Sequence, residues 1–178
     1  MSRFMCALAL MLVGVVSAVA QEAFVPAQPG PEHKHLHKYE GTWDCKMKME
    51  GAPEAMNAVA TYKVELGGLW VSSEFKCDNP AFKFTGKGLD GYDTNKKKYV
   101  ATWCDSLSTS MMVMEGTHDE KTKTTTMTGQ AYNEQGKLTK YRNVTKEIDP
   151  DHFTFQMFMV GDDGKESLAF TIEYARKK

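Results

Sequence analysis

The sequence predicts an all-β protein, an antiparallel up-and-down barrel of about ten strands entered through a short N-terminal helix. Three observations carry that expectation. Short segments alternate apolar and polar residues with a period of two, which in an extended chain puts one set on one face. Turn residues close each segment at hairpin spacing. Beyond residue 41 no stretch of useful length follows the helical period. Consecutive antiparallel strands leave two sheet edges unless the sheet closes on itself. A closed barrel of eight to ten strands encloses a lumen for side chains or one small ligand. A two-sheet sandwich is the alternative that the alternation leaves open.

The elements follow in chain order. "MSR" is a short basic start, "FMCALALMLVGVV" an apolar run, and "SAVAQ" a small-residue ending. Ala18 and Ala20 occupy the positions a signal peptidase reads, so residues 1–20 are expected as a leader cleaved after Ala20. The run is about 13 residues, short of the roughly 20 that cross a bilayer. Cys6 lies inside it rather than at the cleavage point, which argues against lipid attachment. Residues 21–30, "QEAFVPAQPG", read as a flexible linker, and 31–178 as a single domain. Pro31 suits a first helical position, Glu32 the first turn, and Lys38 the last turn of a helix dipole; Gly41 is placed to stop it.

Strands are expected at 42–50, 56–66, 69–77, 82–92, 97–105, 108–118, 122–132, 137–148, 152–160 and 166–175. The pattern is plain in "TWDCKMKM", where Trp43, Cys45, Met47 and Met49 share a face. It recurs at Phe153, Phe155, Met157 and Met159, and at Leu168, Phe170, Ile172 and Tyr174. In "KYRNVTKEI", Lys140, Arg142, Val144 and Lys146 fall on one face and Tyr141, Asn143 and Thr145 on the other. Turn signals include Gly67-Gly68, Asp93-Thr94-Asn95 and Asp149-Pro150-Asp151.

Charge narrows the function classes. The net charge of the chain is −1, and loss of a leader whose only charge is Arg3 takes it to about −2. Nucleic-acid binding needs a basic face, so no nucleic-acid partner is expected. "KKK" at 96–98 and the terminal "RKK" read as solvated turn and tail. No stable membrane anchor is expected after cleavage, and a monomer is. Three cysteines follow the leader: Cys45, Cys77 and Cys104. Export permits disulfides, and an odd number leaves one over. Cys77 and Cys104 close their strands at one rim and are the candidate disulfide, if the 78–81 loop brings their Cα atoms within roughly 7 Å.

Chemistry-bearing motifs are sparse. "HKHLHKYE" resembles a metal-binding run, but on a helix His33 and His37 share a face while His35 points almost opposite. The three therefore read as a surface cluster, with no metal and no cofactor expected. His118 and His152, each near a turn, read as surface or capping residues. "WCDSLSTS" offers Cys104, Asp105 and Ser106 without a histidine tied to them, so no catalytic residue is assigned. "GDDGKE" and "DPDHF" lack the ligand ladder of a calcium loop. "NVT" at 143–145 matches a glycosylation sequon. Nine methionines follow the leader, several on the aromatic face. Methionine is flexible and polarizable and fits varied apolar partners, so a Met-aromatic lumen suits a small apolar ligand. The candidate contacts are Trp43, Met47, Tyr92, Trp103, Met112, Met114, Arg142, Phe155 and Met157. Arg142 would meet a carboxylate head group if its face turned inward.

At "YEGTWDCKMKM" the chain resembles the calycins, the superfamily of lipocalins and fatty-acid-binding proteins. Their barrels open with a short helix and a Gly-x-Trp, and a basic residue near the last strand packs across the tryptophan. The matching residues are Gly41, Trp43 and Arg176 in "EYARKK". "GPEHKHLHKYEGTW", "GLDGYDTNKKKYVATWCDSLSTSMMVMEGTHDEKTKTTTMTG" and "GKLTKYRNVTKEIDPDHFTFQMF" together resemble the uncharacterised bacterial family called domain of unknown function 1579. That resemblance covers almost the whole chain beyond the leader. It implies a calycin-like barrel and no established activity. Nitrobindin-like haem barrels are ten-stranded too, but they carry a glycine-rich continuation after Gly-x-Trp and a haem-ligating histidine near the C-terminus. This chain has neither. The resulting expectation is an exported barrel, periplasmic or extracellular, that binds a small hydrophobic or amphipathic ligand without catalysis. Two alternatives stand beside it. One is an enzyme using polar groups around Trp103, Asp105 and Tyr92. The other is a filled barrel serving as a structural or interaction module.

Overall fold

A computed structural model describes residues 25–80, 82–133 and 135–178. The expected leader and the first residues of the linker lie outside the described residues. The chain runs through helix α1 (Pro31–His37) and ten strands: β1 (Gly41–Met49), β2 (Met56–Glu65), β3 (Trp70–Asn79), β4 (Phe82–Asp93), β5 (Lys98–Asp105), β6 (Met112–Asp119), β7 (Thr124–Tyr132), β8 (Leu138–Asp149), β9 (His152–Val160) and β10 (Glu166–Arg176). A single 3-10 turn, Leu66–Gly68, joins β2 to β3. Each strand pairs antiparallel with its chain neighbour, and β10 returns to β1, so the barrel is closed. The sandwich alternative is thereby excluded.

The ends of the strands agree with the sequence pattern to within two residues, with one exception. β6 begins at Met112 rather than at 108, because 106–111 forms the connection from β5. There the Asp105 carboxylate takes the Leu107 N–H at 2.9 Å and the Ser108 hydroxyl takes the Ser110 N–H at 3.0 Å. Such side-chain turns compete with a ladder for the same backbone groups.

Period-two alternation sets the wall. Trp43, Cys45 and Met47 of β1 point inward and are buried, while Asp44, Lys46 and Lys48 point out. Register carries the inward face around the barrel: Cys45 lies opposite Tyr174, Tyr174 opposite Phe153, and Phe153 opposite Glu147. On β4 the inward positions include Gly86 and Gly88. A Cβ at Gly86 would come within 2.1 Å of the Trp103 ring. The absence of a side chain there lets the indole lie flat against the wall instead of filling the middle.

Helix α1 lies across the end of the barrel where β1 begins. Its first turn is closed by His33, whose Nδ1 accepts the Gly30 N–H at 3.1 Å, the reach-back of a capping box. Its last turn tightens through N–H to carbonyl bonds three residues back, at Lys38, Tyr39 and Glu40. Gly41 then turns the chain into β1 at φ 126. A side chain there would press on the Arg176 guanidinium, 3.0 Å from the Cβ position.

Candidate functional site

The barrel has two chemically distinct ends. At the helix end, Trp43 is almost fully buried and donates its indole N–H to the Tyr39 carbonyl at 2.8 Å. Phe153 packs edge-on against it at 4.7 Å and stacks on Tyr174 at 4.1 Å. The Arg176 guanidinium sits 4.1 Å over the Trp43 ring. It also donates to the carbonyls of Glu40 and Lys38 at 2.7 and 2.8 Å, which supplies donors where the helix runs out of them. Gly41, Trp43 and Arg176 thus meet at this end of the barrel.

The middle and far end are lined differently. Phe155, Ala101 and Tyr62 point inward, well inside the wall by register, yet each keeps accessible surface. Trp103, Met112 and Met157 do so too, as do Phe84 and Phe170 nearer the rim. Most of these side chains pack against the buried clusters, yet all are less completely enclosed than those around Trp43, so packing loosens away from the helix end. Among the candidate contacts, Trp103, Met112, Phe155 and Met157 are of this kind. Met47 and Met114 are buried in packing, the latter receiving the Asn143 amide on its sulfur at 3.2 Å. Trp43 and Tyr92 belong to the helix end, Tyr92 lying edge-on to His33 at 5.9 Å.

Asp90, which sequence reasoning missed, stands at the inner end of this looser region. It lies on the inward face of β4 opposite Val71 and Ala101. It is removed from bulk solvent, and its own accessible surface faces the lumen. Its carboxylate has neither hydrogen bond nor ion pair among the described residues. Burial alone pushes its pKa up to about 7, because an ion in low dielectric is disfavoured. Tyr39, Tyr62 and Tyr174 face it closely enough for its charge to raise their own pKa values, above all by adding to the effect of their burial.

Several expectations need correction. Arg142 is outside the barrel: it pairs through Nε with Glu166 at 2.6 Å and lies 4.3 Å over the Phe158 ring. Inward parity on β8 belongs to Tyr141, Asn143 and Thr145. Asn143 is buried, so the sequon is inaccessible in the folded chain. Cys77 and Cys104 form no disulfide, and Cys45, Cys77 and Cys104 are all free. Cys77 points inward opposite Phe84, whereas Cys104 points outward opposite Lys87. The suggested enzyme set is not assembled. Asp105 accepts the Trp103 indole N–H at 3.0 Å at the far rim, while Tyr92 is six strand residues farther along, roughly 20 Å at the rise of a β-strand.

The histidines also differ from expectation. His33 and His35 are buried rather than on the surface, because the helix has the wall beneath it and the barrel end around it. The three rings nevertheless take separate partners, His33 and His37 included although they are four residues apart. His33 faces Tyr92, His37 donates through Nε2 to the Gly68 carbonyl at 2.8 Å, and His35 turns toward Tyr99 and His118. His118 is not a surface residue: its side chain is 5% exposed, and its ring centroid is 4.1 Å from that of His35. His35, His118 and Glu147 bring donor atoms within 4.8 Å of one another. Burial, then the neighbouring His118, hold the His35 pKa below the usual imidazole range. His152 is exposed as expected, its Nδ1 2.9 Å from Asp149.

Comparison with known proteins follows the same lines. The profile of the family described as "Protein of unknown function (DUF1579)" matches residues 28–176. The chain belongs to this family. None of the curated proteins matches the sequence significantly. Among solved structures, Rv2717c from M. tuberculosis aligns with TM-score 0.60 at 10% identity, over 84% of this chain and 99% of that one. The S-type phycobiliprotein lyase CPES from Guillardia theta aligns with TM-score 0.55 at 11% identity, over 83% and 93%. At such identities the likeness is one of fold, a calycin-like barrel. The DUF1579 match reaches back to Gln28, and a Cβ at Gly68 would come within 3.3 Å of the Pro29 ring. The end of the expected linker therefore lies beside the turn that joins β2 to β3.

Proposed function

We infer that this DUF1579 protein is an exported barrel that holds one small amphipathic molecule in its lumen without converting it. The observation that supports this most is the looser interior away from the helix, where Trp103, Met112, Phe155 and Met157 keep accessible surface although they point inward. Apolar walls with a few placed polar groups are the ordinary make-up of a small-molecule site. Asp90 is a polar group of this kind, and among the described residues it has neither hydrogen bond nor ion pair. A buried acceptor is satisfied by a donor or a cation. The ligand that fits is an apolar molecule whose leading end carries an amine or hydroxyl, not a carboxylate. The leader-like "FMCALALMLVGVV" and "SAVAQ" support export to the periplasm or beyond. The absence of an assembled nucleophile and base around Trp103 and Asp105 among the described residues favours binding over catalysis.

Native mass spectrometry of the protein purified from its own host is expected to show one retained small molecule. Trp103 fluorescence then reads a series of alkyl amines, alcohols and carboxylates of equal chain length. The amine is expected to bind at least about tenfold more tightly than the carboxylate, and Asp90→Asn to remove the difference. Absence of saturable binding by any member would overturn the reading.

A further inference from the structure

We propose that His35, His118 and Glu147 form a site for one divalent metal ion of the zinc class, which fastens α1 to the barrel wall. The three residues come from α1, β6 and β8 and meet only through the fold. Their donor atoms all lie within 4.8 Å of one another, and the side chains of both histidines are 5% exposed. Two imidazoles and one carboxylate are a recurrent zinc set, with metal–donor distances near 2.0–2.2 Å. That set does not suit calcium or magnesium, which take oxygen donors.

The second observation is an unsatisfied atom. His35 Nε2 is buried and has no hydrogen-bond partner. It lies 3.2 Å from Glu147 Oε1, without hydrogen-bond geometry. Two ligand atoms bound to one zinc-sized ion stand about that far apart. The outer groups are arranged to orient the donors. Thr125 Oγ1 is 2.9 Å from His118 Nδ1, which leaves Nε2 of that ring as the coordinating nitrogen. The Tyr39 hydroxyl donates to Glu147 Oε1 at 3.3 Å. Partners of this kind fix tautomer and ring orientation at metal sites. Glu120 Oε2, 3.7 Å from His118 Nε2 and exposed, is placed to supply a fourth ligand.

One group opposes the ion. Lys38 Nζ lies 3.3 Å from His35 Nδ1 and 3.7 Å from Glu147 Oε2. Its ammonium occupies the place of a counter-cation to Glu147, and its largely exposed side chain is free to withdraw. Metal and Lys38 therefore compete for the same cluster.

The test uses untagged protein stripped with a chelator, titrated with Zn²⁺ by calorimetry and with Co²⁺ by absorption spectroscopy. One ion per chain is expected, with a Co²⁺ ligand-field spectrum. His118→Asn and Glu147→Gln are expected to weaken Zn²⁺ binding by about a hundredfold or more, and Lys38→Met to tighten it about three- to tenfold. Zn²⁺ is expected to raise the melting temperature of the wild type and to slow hydrogen exchange in α1, with neither effect in His118→Asn. Circular dichroism establishes that each variant is folded, and Glu147→Gln carries the test if His118→Asn is not. Binding that survives both substitutions and disappears in His37→Ala would be that of an adventitious surface ion and would overturn the proposal, as would the lack of saturable binding.

Discussion

The two ends of the barrel share one wall and one alternation rule, yet they are built to opposite ends of the packing scale. At the helix end, rings and a guanidinium interlock around Trp43, and hydrogen bonds tie Arg176 to the carbonyls of Lys38 and Glu40. Away from it, Trp103, Met112, Phe155 and Met157 point inward but stay part-exposed. Stability therefore concentrates where the chain enters the barrel, and the far half is packed less tightly. A surface depression of about 650 Å³ over the outside of β1, β2 and β10 belongs to neither region. Asp44, Lys46, Lys76 and Glu173 line it as an ordinary solvated face.

Substitutions should break this contrast in a definite order. Trp43→Ala is expected to cost about 3–5 kcal/mol in urea unfolding, because it removes a fully buried ring and leaves a cavity. Asp90→Asn comes next and has the opposite sign. The Asp90 pKa is near 7 in the folded chain, against about 4 when unfolded. Between those values the folded state holds the extra proton, so its stability falls as pH rises through the window. The variant escapes that loss: it should equal the wild type near pH 4 and exceed it by about 2–4 kcal/mol at pH 8, the lower figure reflecting lumen water around the carboxylate. Phe170→Ala, at the far end, should cost only about 1–2 kcal/mol, since the ring is already part-exposed. Equal losses at Phe170 and Trp43 would mean that the two ends are packed alike.

Much of this was legible in the sequence, and the limits have physical causes. Strands alternate over eight to twelve residues, long enough for a period of two to declare itself, and Gly41, Trp43 and Arg176 are tied to chain position. The polar sites were not legible. Asp90 lies in "GKGLDGYD", where glycines take the inward positions that apolar residues mark elsewhere, so parity is silent. His35, His118 and Glu147 meet through the register of β6 to β8 and the tilt of a short helix, and no local spacing encodes either. Arg142 and Cys104 show the reverse: their parity was readable, and both point outward once the inward face is fixed by Asn143 and Trp103.

The seam between β1 and β10 has a consequence for how the chain reaches this state. Every other ladder is a hairpin, joining residues a few positions beyond a turn. The seam alone joins the two extremities of the domain, Trp43 with Arg176 and Met49 with Phe170. Nearly all the entropy of long-range loop closure therefore falls on a single step, and hairpins form ahead of it for less. The arginine stacked on the tryptophan is then a latch as well as a plug: the last pairing to become affordable is the one whose contacts are densest.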